Sequence, residues 1–242
     1  MTRIALALAV LVATTTAASG QPARPPVFDG VGLEEHLGAK IPLDLQFTEA
    51  SGRRVHLGDY VDGKRPVLLV LAYMRCKMLC SLVLGATTTA VREMPLALGR
   101  DYRVVTVSID PDEEAAAANV KRAELLRRAG HPGETERWTL LLGGERPIRE
   151  LADSLGFHYR WDPTTEQFAH PAVVFAIAPD GTIARYLQGI DFTPAAVAAA
   201  LRQAATGEVA DDSLAGTILS CFHFDPAARA HRKQIDTYLK LG

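Results

Sequence analysis

The sequence predicts an α/β fold in which helices flank a mixed central sheet. Three observations predict it: strand-like and helix-like segments alternate along the chain, an apolar run at 67–73 shows no alternation, and hairpin patterns open and close the series. A run without alternation is typical of a strand that is buried on both faces between layers of helices. The resulting order, β-β-β-α-β-α-β-α-β-β-α, favours an α/β domain.

Turn and cap signals separate the predicted strands and helices along the chain. The first hairpin joins an alternating strand at 43–47 to a returning strand at 54–57 across a turn at 49–52. Gly99 and Gly130 mark the ends of the first two helices, and acidic residues at 110–113 stand before the second, where a helix favours negative charge. The remaining segments are strand 67–73, helix 81–98, strand 102–109, a helix ending near 128, strand 138–142, helix 146–155, strands 172–178 and 183–187, and helix 194–205.

The first nineteen residues have the pattern of a secretory signal. Arg3 precedes an uncharged apolar stretch at 4–18, and small residues and a Pro-rich segment follow. An uncleaved membrane anchor is the alternative, although about 15 apolar residues fall short of the roughly 20 that span a bilayer. We therefore expect a signal peptide at 1–19, a linker at 20–39, the α/β domain at 40–206 and a C-terminal extension at 207–242, in a protein exported to the periplasm or another compartment outside the cytoplasm.

The composition excludes several classes of function. The formal net charge is −2, with 48% apolar and 22% charged residues. A general nucleic-acid binder would carry a basic excess. Three cysteines are too few for a disulfide scaffold, and neither a Gly-x-Gly-x-x-Gly string nor a P-loop is present.

Cys76 and Cys80 directly follow the apolar strand, where the first helix begins. Residues four apart lie on one helix face, so two thiolates placed there can share a soft metal ion or close into a disulfide. The helix start, together with Arg75 and Lys77, predicts a lowered thiol pKa. Thiol oxidoreductases of the thioredoxin type place two residues between their cysteines and this chain places three, so the pair is less typical of a dedicated redox catalyst. A stabilising disulfide or two unrelated buried thiols are the structural alternatives.

His170 precedes the strand at 172–178. In a sheet of the thioredoxin type, the start of this strand lies opposite the cysteine turn, so His170 would project toward Cys76 and Cys80. Two thiolates and an imidazole form a donor set that copper binds in both oxidation states. Pro171 stands at a position that a cis-proline usually occupies in such sheets, and it is a candidate for one.

Four separated motifs resemble the Sco/SenC family of exported copper chaperones. The similarity covers roughly 40–206, and its motifs are Leu-Gly-Asp-Tyr at 57–60, Tyr73-x-x-Cys76-x-x-x-Cys80, Val-Ser-Ile-Asp-Pro at 107–111, and His170 nine residues before a Pro-Asp-Gly turn. The chain departs from the family pattern at Lys77, Ser81 and Pro171.

The resemblance implies a thioredoxin-like fold and a metallochaperone rather than an enzyme. It implies that Cys76, Cys80 and His170 bind copper as Cu(I) or Cu(II). It further implies that the protein delivers copper to the dinuclear copper site of a cytochrome c oxidase subunit or keeps that site reduced, with that subunit or another copper chaperone as partner and a membrane close by. Asp110 matches an acidic position near the family's site, and it also reads as a helix N-cap.

Two further interpretations stay open. The alternative function is an exported thiol-disulfide oxidoreductase in which Cys76 and Cys80 are the catalytic redox pair; a peroxidase is disfavoured by the cysteine spacing. In the extension, Cys221 and His223 would share one face of a strand, where they could bind metal or touch a partner, or pack beneath the domain edge.

Overall fold

A seven-stranded mixed sheet forms the centre of the structure, a computed structural model that describes residues 30–76 and 79–210. The described elements are β1 (Gly32–Leu33), β2 (Gln46–Glu49), β3 (Arg54–His56), a 3-10 turn (Leu57–Tyr60), β4 (Val67–Ala72), α1 (Leu79–Glu93), β5 (Arg103–Ser108), α2 (Ala115–Ala129), β6 (Trp138–Leu142), α3 (Glu145–Ser154), β7 (Phe157–His158), β8 (Arg160–Asp162), β9 (Gln167–Ala169), β10 (Val173–Ile177), β11 (Ile183–Gln188) and α4 (Pro194–Ala205).

The strand order is β11-β10-β4-β5-β6-β2-β3, with β4, β5 and β6 parallel and the other pairs antiparallel. Every residue of β4, β6 and β10 is buried. The chain therefore has the predicted mixed sheet with strands covered on both faces. The predicted first hairpin is present as β2 and β3, although β2 starts at Gln46 and not at 43.

Helix α1 packs against both α2 and α4, and α4 also contacts β10 and β11. Helix α2 ends where Gly130 adopts a left-handed conformation, as the sequence predicts. Helix α1 ends at Glu93, five residues before the predicted end, because Pro95 lacks an amide hydrogen and disfavours helical geometry in the residue before it. None of the described helices combines the length and apolar character that crossing a bilayer requires.

Two short antiparallel pairs were not predicted. Strands β1 and β7 pair through Gly32–His158 and Leu33–Phe157, so residues just before the expected domain boundary at 40 contact the domain. Strands β8 and β9 form a hairpin that leads directly into His170. The expected signal peptide and the Cys221–His223 segment lie outside the described residues.

Candidate metal centre

The two site cysteines lie where β4 gives way to α1. Cys76 follows the strand, and Cys80 is the second residue of the helix. The Cys80 amide donates to Cys76 Sγ at 3.3 Å, and the Ser81 hydroxyl donates to the Cys76 carbonyl at 2.9 Å. Amide groups in a first helical turn lack partners within the helix, so the Cys76 sulfur occupies an acceptor position that the helix offers.

His170 completes the cluster from the neighbouring strand. Strand β10 is antiparallel to β4, which places the start of β10 beside the end of β4. The ring Nε2 lies 2.8 Å from Cys80 Sγ, and Nδ1 lies 2.9 Å from the Pro171 carbonyl. Because a carbonyl only accepts, Nδ1 carries a hydrogen, and Nε2 faces the sulfur. The possible ligand atoms of Cys76, Cys80 and His170 all lie within 4.8 Å of one another, as the sequence predicts.

The candidate cis-proline before β10 is trans. No peptide bond in the described part of the chain is cis, so that expectation for Pro171 is wrong. The trans peptide accompanies the hydrogen bond between the Pro171 carbonyl and the His170 ring.

The cluster is shielded from water. Cys76, Cys80 and His170 are 7%, 1% and 7% exposed, and both cysteines are present as thiols. Aromatic rings border the imidazole, with the Phe157 ring centroid 5.9 Å and the Tyr73 centroid 6.3 Å from it. Such surroundings exclude water and strengthen the interaction of any charge placed among them.

Burial raises the pKa of the Cys80 thiol, whereas the sequence predicted a lowered one. Desolvation, followed by the adjacent Cys76 sulfur, raises the pKa of the Cys80 thiol well above its ordinary value. Desolvation and the same sulfur also raise the pKa of Tyr73. The expectation that the helix start lowers the thiol pKa is therefore wrong for Cys80, because the loss of hydration outweighs the helix dipole. A thiolate at Cys80 needs a compensating cation, which a bound metal ion can supply.

The loop between β5 and α2 holds the cysteine loop from the opposite side. Asp110 is 3% exposed, and its carboxylate accepts hydrogen bonds from the Arg75 guanidinium. Its other oxygen accepts from the Asp112 amide at 3.0 Å. Glu114, and not Asp110, is the N-cap of α2, so the N-cap interpretation of Asp110 is wrong. Asp110 instead fixes a side chain next to Cys76.

The order of the cysteine pair, Asp110 and His170 along the chain matches one family of proteins. The SCO1/SenC family model matches residues 34–206, which include both cysteines, Asp110 and His170. The chain belongs to the SCO1/SenC family. None of the curated proteins is similar enough to match it.

Solved structures of other proteins share the fold. A candidate electron transfer protein of Aquifex aeolicus is 22% identical, with a TM-score of 0.61 over 78% of this chain and 99% of its own. A SCO1/SenC family lipoprotein of Bacillus anthracis is 18% identical, with a TM-score of 0.57 over 72% and 97%. Yeast Sco1 with copper bound is 12% identical, with a TM-score of 0.54 over 78% and 99%. The predicted thioredoxin-like α/β fold is confirmed.

Glu113 was missed by sequence reasoning. It lies two residues from the SCO1/SenC motif at 107–111, in a run of acidic residues that is typical of an exposed turn. In the structure it is 8% exposed, and burial raises its pKa. No sequence signal distinguishes it from Asp112 and Glu114, which are both exposed.

Proposed function

We propose that this protein binds copper through Cys76, Cys80 and His170 and delivers it to, or keeps reduced, the dinuclear copper site of a cytochrome c oxidase subunit. The proposal depends on one observation: two sulfurs and an imidazole nitrogen converge within 4.8 Å in a buried pocket. Thiolates suit Cu(I), and an imidazole suits Cu(II) as well, so this donor set fits copper in both states. Membership of the SCO1/SenC family and the copper-bound structure of yeast Sco1 support the choice of metal.

The surroundings of the donors suit a site that holds and then releases its metal ion. Two of the three donors are oriented before any ion arrives, His170 by the Pro171 carbonyl and Cys76 by the Cys80 amide. Ligands fixed by a second layer of hydrogen bonds lose little freedom on binding. A set of three protein donors leaves room for a ligand from a partner protein, which is what transfer from one protein to another requires.

The proposed location is outside the cytoplasm, most simply the periplasm. A signal peptide at 1–19, a linker at 20–39, the thioredoxin-like domain at 40–206 and the extension at 207–242 form the proposed organisation. The pattern at 1–19 and the fold shared with a SCO1/SenC family lipoprotein support export. An uncleaved N-terminal anchor is the alternative, and membrane fractionation with and without a carbonate wash separates the two.

The test is anaerobic loading of the reduced protein with Cu(I), followed by removal of loosely held metal and elemental analysis. About one copper per chain is expected for the wild type. Cys76→Ser and Cys80→Ser should each lower the affinity by at least about 100-fold, because each removes a thiolate ligand. Cys221→Ser is the matched control and should retain wild-type binding; loss of copper in that variant would show that a donor outside the described residues is needed.

The pair of Cys76 and Cys80 also supports a second function, thiol-disulfide exchange. As a thiol-disulfide oxidoreductase, the Cys76 thiolate would attack a target disulfide and form a mixed disulfide, and Cys80 would then displace the target thiol. The target gains two electrons and two protons, and Cys76 and Cys80 become a disulfide. Turnover of a disulfide substrate that survives His170→Ala, in a protein that retains no copper, would favour this function over the first.

A further inference from the structure

Glu113 lies beneath the loop that carries Cys76, and one of its oxygens holds that loop. Oε2 accepts a hydrogen bond from the Met74 amide at 2.6 Å and from the Ser108 hydroxyl at 3.3 Å. Oε1 is buried and has no hydrogen-bond partner in the described part of the chain. The carboxylate is therefore tied to the main chain two residues before Cys76.

The Met74 amide is an upstream anchor of this loop. The Ile109 amide donates to the Ala72 carbonyl at 3.0 Å, and this bond marks the end of the sheet contact. Beyond Ala72, the loop must turn so that Cys76 faces Cys80 and His170. A displacement of Met74 passes to Cys76 through two peptide units, because each peptide is planar and only its flanking torsions can absorb the change.

Stability alone does not account for a carboxylate at this place. Burial disfavours its charged form, and the neighbouring Asp110 adds like-charge repulsion. A neutral acceptor would satisfy the Met74 amide without these costs, and buried polar atoms without partners are uncommon in folded proteins. Unfavourable buried ionisable groups concentrate at functional sites.

We propose that Glu113 is a positioning residue for the cluster of Cys76, Cys80 and His170. By fixing the Met74 amide, its carboxylate sets the distance from the Cys76 sulfur to the other two donors. Glu113 acts on Cys76 through the main chain, by the hydrogen bond that its carboxylate accepts from the Met74 amide. The copper part of this inference rests on the function proposed above, and the geometric part does not.

The test compares Glu113→Met, Glu113→Gln and Asp112→Asn. Methionine fills similar space without a strong acceptor, glutamine keeps a carbonyl oxygen for the Met74 amide, and Asp112 is an exposed carboxylate in the same loop. The first measurement is the thiolate-to-Cu(II) absorption band. The second is the alkylation rate of Cys76 in the reduced, metal-free protein, assigned by mass spectrometry well below the melting temperature.

Glu113→Met should shift the absorption band and change the Cys76 alkylation rate at least about threefold. Glu113→Gln should restore both values toward those of the wild type, and Asp112→Asn should leave both unchanged. A lower melting temperature of Glu113→Met with a wild-type band and rate would overturn the proposal and leave Glu113 a structural residue. If Glu113→Met does not fold, Glu113→Asp replaces it, because the shorter side chain displaces the Met74 amide to which it is hydrogen-bonded. The absorption band and the Cys76 alkylation rate then test the proposal in the same way.

The two measurements separate this inference from the proposed function. A wild-type protein that binds no copper contradicts the proposed function, and the alkylation rates still test Glu113. A wild-type protein that binds copper, with identical bands and alkylation rates in all variants, contradicts the role of Glu113 only.

Discussion

Nε2 of His170 lies 2.8 Å from Sγ of Cys80, although ninety residues separate them in the sequence. The contact exists because β10 runs antiparallel to β4, so the residue that enters one strand meets the loop that leaves the other. The remaining nitrogen of the ring is occupied by the Pro171 carbonyl. The structure thus supplies one oriented nitrogen donor beside two sulfurs. The nitrogen and the sulfurs are expected to contribute differently to the binding of Cu(I) and of Cu(II).

We expect His170→Ala to weaken Cu(II) binding more than Cu(I) binding. Thiolates alone suit the softer Cu(I) ion, whereas the harder Cu(II) ion gains more from an imidazole. The loss should be at least about 10-fold larger for Cu(II), with a shifted or absent thiolate-to-Cu(II) band. Competition titrations with chelators of known affinity for each ion measure the difference.

His131→Ala is the matched control for this variant. His131 contacts Glu134 at 2.8 Å and lies just after α2. It should bind both ions as the wild type does. Equal losses for the two ions in His170→Ala would contradict the unequal roles of the donors, and no loss would remove His170 from the site.

Local sequence patterns predicted the sheet better than they predicted the walls of the site. The unbroken apolar run of β4 and the apolar stretch of β6 are recognisable as buried strands in the sequence. The family motifs predicted that Cys76, Cys80 and His170 form one site. Strands β8 and β9 have three residues each, too few for a periodic pattern. Glu113 was missed because burial of a charged residue depends on the neighbouring loop and not on its own sequence surroundings. The early end of α1 had a signal in Pro95.

The ion pair between Arg75 and Asp110 should contribute measurably to stability because Asp110 is buried. Arg75 is 62% exposed and Asp110 only 3%. Removal of the arginine leaves a buried carboxylate without its cation, so Arg75→Ala should cost about 1–2 kcal/mol, between the values typical of exposed and buried pairs. Urea unfolding measures the change.

A double-mutant cycle and an exposed pair test this explanation. In an Asp110→Asn background, Arg75→Ala should cost clearly less, since no buried charge is left behind. Arg146→Ala removes the partner of the exposed Glu150 and should cost clearly less than Arg75→Ala, because water screens an exposed ion pair. An Arg75→Ala cost that is unchanged by Asp110→Asn would argue against the ion pair as its source.

Gly156 should tolerate no side chain, because Glu34, the residue that follows β1, lies directly against it. A Cβ at this position would stand 1.7 Å from the Glu34 carbonyl oxygen, and its φ is +58°. Gly156→Ala should therefore destabilise the protein by about 3 kcal/mol or more. Gly133→Ala, with φ of +82° and open space around it, should cost only about 1–2 kcal/mol. Similar costs for the two variants, measured by equilibrium unfolding, would place β1 away from β7 in solution.

Glu49 should make stability depend on pH in the acid range. Burial acts to raise its pKa, but hydrogen bonds from Arg53, Tyr60 and Ser51 overcome that effect and lower the pKa from 4.5 to about 2. A carboxyl group with a lower pKa in the folded state stabilises the fold above its unfolded pKa, and that contribution disappears as the pH falls through its folded pKa. Glu49→Gln should therefore cost about 1–2 kcal/mol at pH 7, because water around the exposed Arg53 screens part of the interaction, and the difference from the wild type should shrink between pH 4.5 and 2. Urea unfolding at pH 2.5 to 7 measures it, with the surface variant Glu93→Gln as control; a Glu49→Gln difference that stays constant over this range would show that the carboxylate is not held by these donors.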